Sequence, residues 1–374
     1  MIGEVIKHLI RNLDSNIRED EIGDPFLSSH NYNVYPLNIQ YFNSIKIIES
    51  NKKFAFIDGG NQELIGAPNF SVQLNRVYFN IFSGKRRIQP ESLPQKIEFF
   101  SVTIAKFRDK QIFYDTLLFP TTNEFPKFLP DSSDLSFSSM DRRIMVGNSR
   151  ADIGQVASIA RRFAEWEYAK HIVEEELGEG DVLVMDGTLR TAFTNESNYA
   201  QAAYKSAKDK GVVYTGLSKT SRLFTTTGHS LLGAIRKLAS DNKASPMWYY
   251  YPIAKSLSPE HAADIFIVKL SDQSPRAFRY EIHNEQVTSL NSNDINEIFS
   301  QLSINASDLS LPGYPYGLID AHDNARVRSE ELEAYRVILL SEISNLGSSS
   351  KFLRHMQSTD TPGILNLIKG VSYV

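Results

Sequence analysis

The chain contains no cysteine, which removes disulfide frameworks, thiolate zinc sites and cysteine nucleophiles together. Any metal must therefore be held by oxygen or imidazole. Long apolar runs are missing as well. No stretch is long enough to span a bilayer, and the start, Met1-Ile2-Gly3-Glu4-Val5-Ile6-Lys7-His8, lacks the basic-then-apolar pattern of a secretory signal. A cytoplasmic protein without membrane attachment is the expectation. Nor does one sign of charge dominate: 40 basic and 44 acidic residues give a formal net charge of −4. A nucleic-acid partner would have to be met by local clusters such as Lys85-Arg86-Arg87, Arg142-Arg143 and Arg161-Arg162, although short basic runs are most often solvated surface. What the chain does have is size and apolar content. Its 374 residues, 41% of them hydrophobic, can bury a substantial core as one large or two ordinary domains.

Two apolar runs end in Asp-Gly: Phe54-Ala55-Phe56-Ile57-Asp58-Gly59-Gly60 and Val182-Leu183-Val184-Met185-Asp186-Gly187-Thr188. Each predicts a buried strand that delivers a carboxylate at its end, with glycine next so that the backbone can turn or closely approach a ligand. Many metal-dependent phosphoryl-transfer sites are built in this way.

Around these runs, residues 1–20 read as an amphipathic helix, with Val5, Ile6, Leu9, Ile10 and Leu13 at helical spacing. Segments 70–74, 76–82 and 97–107 read as a strand meander. Residues 120–140, rich in Pro, Ser, Thr and Asp, mark an exposed loop or insertion. A helix follows from about residue 149 or 152 to 177, closed by Gly178 and Gly180, and leads into the Asp186 strand. Beyond it the pattern predicts helices at 199–210 and 231–240 and strands at 211–217, 247–253, 265–270 and 276–282, the last two as a hairpin. A Tyr-Pro turn at 313–316 and a helix over 318–346 complete the reading. The expected division is an N-terminal helical segment (1–45), a main domain (46–346) and a C-terminal tail (347–374).

On the helix before Asp186, Val156, Ile159, Ala160, Phe163, Trp166, the Lys170 stem and Val173 define one face at about 100° per residue. Glu167 falls inside that stripe, and Glu165 falls nearly opposite it, where it should be solvated. An inward carboxylate is costly unless paired, protonated or bound to a metal. A salt bridge to an arginine would explain Glu167. So would a divalent cation shared with Asp58 and Asp186, since three hard oxygen donors suit Mg²⁺ or Mn²⁺. In the C-terminal third, the run Gly313-Tyr314-Pro315-Tyr316-Gly317-Leu318-Ile319-Asp320-Ala321-His322 pins a turn and places His322 early in a helix. A lone histidine is usually a satisfied surface or core residue, and Asp320 is most simply a partner for the helix dipole.

In their order and spacing, Phe56-Ile57-Asp58-Gly59-Gly60, the helix with its inward Glu, Leu183-Val184-Met185-Asp186-Gly187-Thr188-Leu189, Gly216-Leu217-Ser218-Lys219-Thr220-Ser221 and Tyr314-Pro315…Ala321-His322 resemble the NurA nucleases over roughly residues 50 to 345. The resemblance implies an α/β fold with a ribonuclease-H-like, PIWI-like mixed sheet flanked by helices. It further implies a Mn²⁺-dependent DNA nuclease, with Mg²⁺ possible, that resects ends 5′-to-3′ and cuts single strands internally. Its members form homodimers and work with the hexameric HerA ATPase, which pumps DNA toward them. End resection in repair and defence against foreign DNA are both open as its setting. Carried over by position, Asp58 and Asp186 are the metal-binding aspartates, Glu167 or alternatively Glu165 is the helix glutamate, and His322 is the C-terminal histidine. A functional tyrosine lies between Asp186 and His322; the run Trp248-Tyr249-Tyr250-Tyr251 offers candidates without deciding among them, with Tyr250 and Tyr251 as the expected substrate contacts, while strand core is the simpler reading for at least two of the three tyrosines. Lys219, just after a strand, is a phosphate contact. Two departures stand out: the stretch between Asp58 and Glu167 is long, and Gly-Gly follows Asp58 where Gly-Ser is common.

Other functional classes remain open at this level. The same scaffold would serve a non-cleaving DNA-binding partner of an ATPase. A phosphatase or nucleotide hydrolase would use the Asp-Gly strands but leave Tyr-Pro…Ala-His without a role. A sugar-kinase-like ATPase would need a second glycine-rich phosphate loop, which the sequence lacks. The first helix and the tail residues Phe352, Leu353, Ile364, Leu365, Leu367 and Ile368 are candidate partner contacts.

Overall fold

The strand Phe54–Ala67 organises the molecule, because it is paired on both edges and buried on both faces. The computed structural model describes residues 2–17, 22–27, 31–309, 311–345 and 354–355. On one edge this strand pairs antiparallel with Phe70–Ser83, which pairs in turn with Lys96–Arg108 and then Gln111–Pro120. The segments 70–74 and 76–82 are thus one strand. Asn75 does not interrupt it, since its buried amide donates to Ser101 Oγ at 2.9 Å. On the other edge Phe54–Ala67 pairs parallel with Val182–Asp186, which pairs parallel with Val213–Ser218. Phe278–His283, Ala263–Lys269 and Trp248–Ser256 continue the sheet antiparallel. A three-strand meander, a helical crossover, and two parallel strands added beside the first strand give the ribonuclease-H-like order. Here it is enlarged to a mixed sheet of 13 strands among the described residues.

Strand alternation explains the two cores. Ala55, Ile57, Leu183 and Met185 pack toward the helices Ile159–Glu175 and Glu196–Lys210. Phe54, Phe56, Val182 and Val184 pack the opposite way, against Ile298, Phe299 and Leu302 of Ser292–Asn305 and Leu318 of Tyr316–Ala325. Burial on both faces is why each Asp-Gly strand reads as an unbroken apolar run. The helix Ser292–Asn305, which the sequence reading lacks, starts at a capping box between Asn291 and Asp294.

Several segments differ from expectation. The stretch 120–140 holds two 3-10 turns, Phe125–Phe128 and Ser132–Leu135, and the short strand Ser136–Ser138, and it buries Phe128, Leu135 and Phe137 in the core. The helix before Asp186 divides into Ile153–Ala157 and Ile159–Glu175, the first capped by Asp152 accepting from Gly154 N at 2.9 Å. The C-terminal helix likewise divides into Tyr316–Ala325 and Ser329–Asn345. The N-terminal helix Ile2–Asn16 buries none of its residues. The apolar tail residues from Phe352 to Ile368 lie outside the described residues. Among the described residues no helix is long and apolar enough to cross a membrane.

Candidate active site

Because Asp58 and Phe56 share one face of their strand, Asp58 looks toward the helix Tyr316–Ala325. A Cβ on Gly317 would meet the Phe56 ring, so the helix lies directly on the strand there. Asn80 and Arg87 lock it in place. Asn80 Nδ2 donates to Gly317 O at 2.8 Å and to Asp320 Oδ2 at 2.7 Å, and Arg87 pairs with Asp320 at 3.1 Å. Asp320 therefore ties the helix to the sheet rather than serving the helix dipole. Gly60 completes the docking, since its missing side chain leaves room for the backbone of Ala325 and Arg326.

This packing sets His322 Nδ1 2.8 Å from Asp58 Oδ2. Asp186 ends the neighbouring parallel strand on the same face, and the ligand atoms of Asp58, Asp186 and His322 all lie within 4.8 Å of one another. Lys219, the residue after the next strand, places Nζ 2.6 Å from Asp186 Oδ2. The Tyr314 hydroxyl donates to Asp186 Oδ1 at 3.4 Å. From the other face of the sheet comes Glu165. Gly59 points that way, and a Cβ there would strike the Glu165 carboxyl. Glu165 is paired with Arg161, whose Nε donates to Asn61 Oδ1 at 3.0 Å and whose Nη1 donates to Gly59 O at 3.3 Å.

The electrostatics follow from this crowding. Burial, joined by the charges of Asp186 and Glu165, pushes the Asp58 carboxyl up to about 8, with Lys219 opposing. Burial also raises Glu165, against the pull of Arg161 and Arg162. Carboxylates packed this closely favour either a proton or a cation among them. Two carboxylate oxygens and an imidazole nitrogen within reach of a single point form a donor set that fits a divalent ion, with the carboxylates favouring Mn²⁺ or Mg²⁺.

The NurA domain profile matches residues 52–327, most of the chain and all four of Asp58, Glu165, Asp186 and His322. The chain belongs to the NurA family. Among solved structures, the NurA nuclease from Sulfolobus solfataricus is similar with a TM-score of 0.51 at 16% identity, covering 92% of this chain and 95% of that one. Endonuclease V from Ciona intestinalis, in complex with an inosine-containing 24mer DNA, follows with a TM-score of 0.35 at 10% identity, covering 77% of this chain and 92% of that one. Argonaute from A. aeolicus has a TM-score of 0.29 at 11% identity, covering 75% of this chain and 29% of that one. No curated protein matches the sequence.

In this NurA chain the helix phase is the reverse of the one the apolar stripe predicts. Glu165 is buried beside the aspartates. Glu167 faces away and pairs with Lys170 at 3.0 Å and with His171 at 3.5 Å. Burial alone would raise Glu167, but hydrogen bonds from His171 and Lys170 hold it below the usual carboxylate range. The physical reason is that Ile159–Glu175 is covered on several sides. The sheet lies on one, Glu196–Lys210 on another, and the 120–140 segment reaches His171 through Lys127 O at 3.1 Å. Apolar residues therefore surround the helix and mark no single inward face.

The aromatic run is also displaced from the site. Its strand, Trp248–Ser256, lies four strands from that of Asp186, roughly 19 Å at about 4.8 Å per strand. Tyr250 is fully buried and its hydroxyl accepts from Asn38 N at 2.7 Å. Tyr251 stacks on Phe266 at 4.1 Å and donates to Asp264 Oδ2 at 2.7 Å. Neither ring is free to stack on a base at the acidic centre. The tyrosine that does reach it is Tyr314, present in the Tyr-Pro motif but read there only as a turn residue. Burial beside Asp186 and Asp58 keeps its hydroxyl protonated. Both members of the Arg161-Arg162 pair serve the structure: Arg161 holds Glu165, and Arg162 is bound to the buried Glu196.

Proposed function

We propose that the protein is a divalent-metal-dependent DNA nuclease whose centre is Asp58, Asp186, Glu165 and His322. The observation that carries this reading is the approach of Asp58, Asp186 and His322 to within 4.8 Å of one another, where the parallel pairing of the two strands ends; Asp186 closes its strand, whereas the strand of Asp58 runs on to Ala67 instead of ending at the carboxylate as the sequence predicts. When bound, the cation would supply charge compensation to the phosphodiester and acidity to an attacking water. The chain's own groups do the rest. Asp58 and Asp186 would hold the ion, with Tyr314 orienting Asp186 by its hydrogen bond. Glu165, poised behind Gly59 on Arg161, would add a third carboxylate. His322 has a side chain about half exposed (54%) and one ring nitrogen fixed by Asp58, which leaves the other to meet a phosphate or pass a proton. Lys219, paired with Asp186, is the cation placed to meet a substrate phosphate.

Membership in the NurA family extends the proposal. Mn²⁺ is the expected ion, with Mg²⁺ as the alternative. Cleavage would run 5′-to-3′ from ends with internal cuts in single strands, a homodimer is the expected form, and a HerA-type hexameric ATPase is the expected cytoplasmic partner. Purified protein should degrade end-labelled linear DNA with Mn²⁺ and stop when EDTA is added. Binding without degradation under every divalent ion would instead mark a non-cleaving DNA-binding partner, and phosphate release from mononucleotides alone would mark a phosphatase.

A further inference from the structure

A cavity of about 420 Å³ opens on the face of the sheet that carries Arg279, opposite the face that carries Asp58 and Asp186. It shares both of that centre's loops: Thr188 and Arg190 follow Asp186, and Arg222 and Phe224 follow Lys219. Its floor is the strand pair in which Ser218, the neighbour of Lys219, faces Arg279.

Three guanidiniums, from Arg190, Arg222 and Arg279, reach this one cavity from separate segments. Arg279 is paired with the buried Glu281 behind the lining, whereas Arg190 and Arg222 are not cancelled by the acids nearby. Glu281 is fully buried and is shared by His261 at 2.9 Å, Arg279 at 2.5 Å and the Leu189 amide at 2.7 Å. Glu260 pairs outward with Arg143 at 3.0 Å. Among the described residues no carboxylate lies within ion-pair distance of Arg190 or Arg222. The Nε of Arg279 is buried and has no hydrogen-bond partner among the described residues. A buried donor left in this state favours an acceptor from a ligand. Arg190 and Arg279 both act on the Tyr32 hydroxyl, drawing its proton affinity down against the rise caused by burial, so the charges converge on the cavity wall.

The lining is also aromatic. Phe26 and Phe224 stack at 6.3 Å with an interplanar angle of 15°, and each remains about half exposed, 46% and 49%. Positive charge together with exposed aromatic rings, in a volume within the roughly 300–1,000 Å³ of small-molecule sites, matches a phosphate ester that carries a flat base.

We propose that this cavity is a nucleotide subsite, which binds the phosphate of one nucleotide through Arg190, Arg222 and Arg279 and its base against Phe26 and Phe224. The occupant is a nucleotide of the DNA strand that lies in the acidic centre, because the two sites share the loops after Asp186 and after Lys219. Its assignment to DNA rests on the nuclease reading, whereas its capacity to bind a nucleotide does not. A free mononucleotide offers the same chemistry.

The test is binding in EDTA, where no cleavage occurs, read by fluorescence anisotropy of a 3′-labelled short single strand with a 5′ phosphate or a 5′ hydroxyl, and by competition with dAMP. Both target arginines are exposed, so the double variant Arg190→Ala/Arg222→Ala should fold. It should weaken strand binding by about tenfold or more. Phe224→Ala should weaken it less. The charge-matched control Lys205→Ala/Lys210→Ala, two exposed residues of the helix Glu196–Lys210, should change it little. Competition by dAMP that disappears in the double variant would support the subsite and count the free nucleotide among its ligands. Wild-type affinity for strand and dAMP in the double variant would overturn the subsite and leave the acidic centre untouched. Loss of binding there, in a protein that never cleaves DNA, would keep the subsite and reject the nuclease reading.

Discussion

Asp58→Asn and Asp186→Asn should each lower Mn²⁺-dependent DNA cleavage by about 10³-fold or more, the loss expected when charge compensation worth several kcal/mol leaves a phosphoryl-transfer site. Neither variant should unfold. Asp58 is crowded by Asp186 and Glu165 and buried, and a carboxyl raised to about 8 in the folded state costs stability in its ionised form. The sign follows from linkage: the folded protein binds this proton more tightly than the unfolded chain, so the contribution is favourable at low pH and is lost as the pH rises toward 8. Removing the charge should therefore leave the melting temperature equal or higher at neutral pH. Added Mn²⁺ should raise the melting temperature of the wild type and not that of Asp58→Asn. Full activity in either purified variant would remove the proposed centre.

Glu165→Gln should reduce cleavage by roughly 10- to 100-fold or more, the range for groups that complete or support a metal centre, while Glu167→Gln should stay within about twofold. The two residues are one helical turn apart at most and chemically identical, so the comparison isolates direction. Glu165 meets Gly59, the residue after Asp58, and pairs with Arg161. Glu167 makes a partly exposed pair with Lys170, of the kind worth only a few tenths of a kcal/mol. Steady-state cleavage of one labelled duplex by both variants decides it. Equal losses, or a larger loss at Glu167, would mean that the helix turns its other side to the substrate.

Those two glutamates also show where the sequence stops being legible. Asp58 and Asp186 could be found from the chain because parallel strands buried on both faces leave apolar runs that end abruptly in Asp-Gly. His322 could be found because Pro315 fixes the start of its helix. The phase of Ile159–Glu175 could not be read, since Trp166 is bound to Glu196 at 2.9 Å and His171 lies against the 125–128 turn, so apolar contacts surround the helix. Aromatic strand residues misled for a related reason. Tyr250 stands in an aromatic run that suggests a stacking site, yet its strand lies four strands from that of Asp186, whereas Tyr314, legible only as a turn residue, is carried to Asp186 by the turn before Tyr316–Ala325. The pair Gly59-Gly60 carried a signal that needed the fold to decode. One glycine faces Glu165 and the other faces the end of the His322 helix, an assignment fixed by strand alternation.

The most direct measurement is anomalous scattering from crystals soaked in Mn²⁺. The account predicts one peak bonded to carboxylate oxygens of Asp58 and Asp186 at about 2.0–2.6 Å, with His322 or Glu165 in the surrounding shell. A Mn²⁺ peak elsewhere, or none at this point under conditions where the protein cleaves DNA, would contradict it.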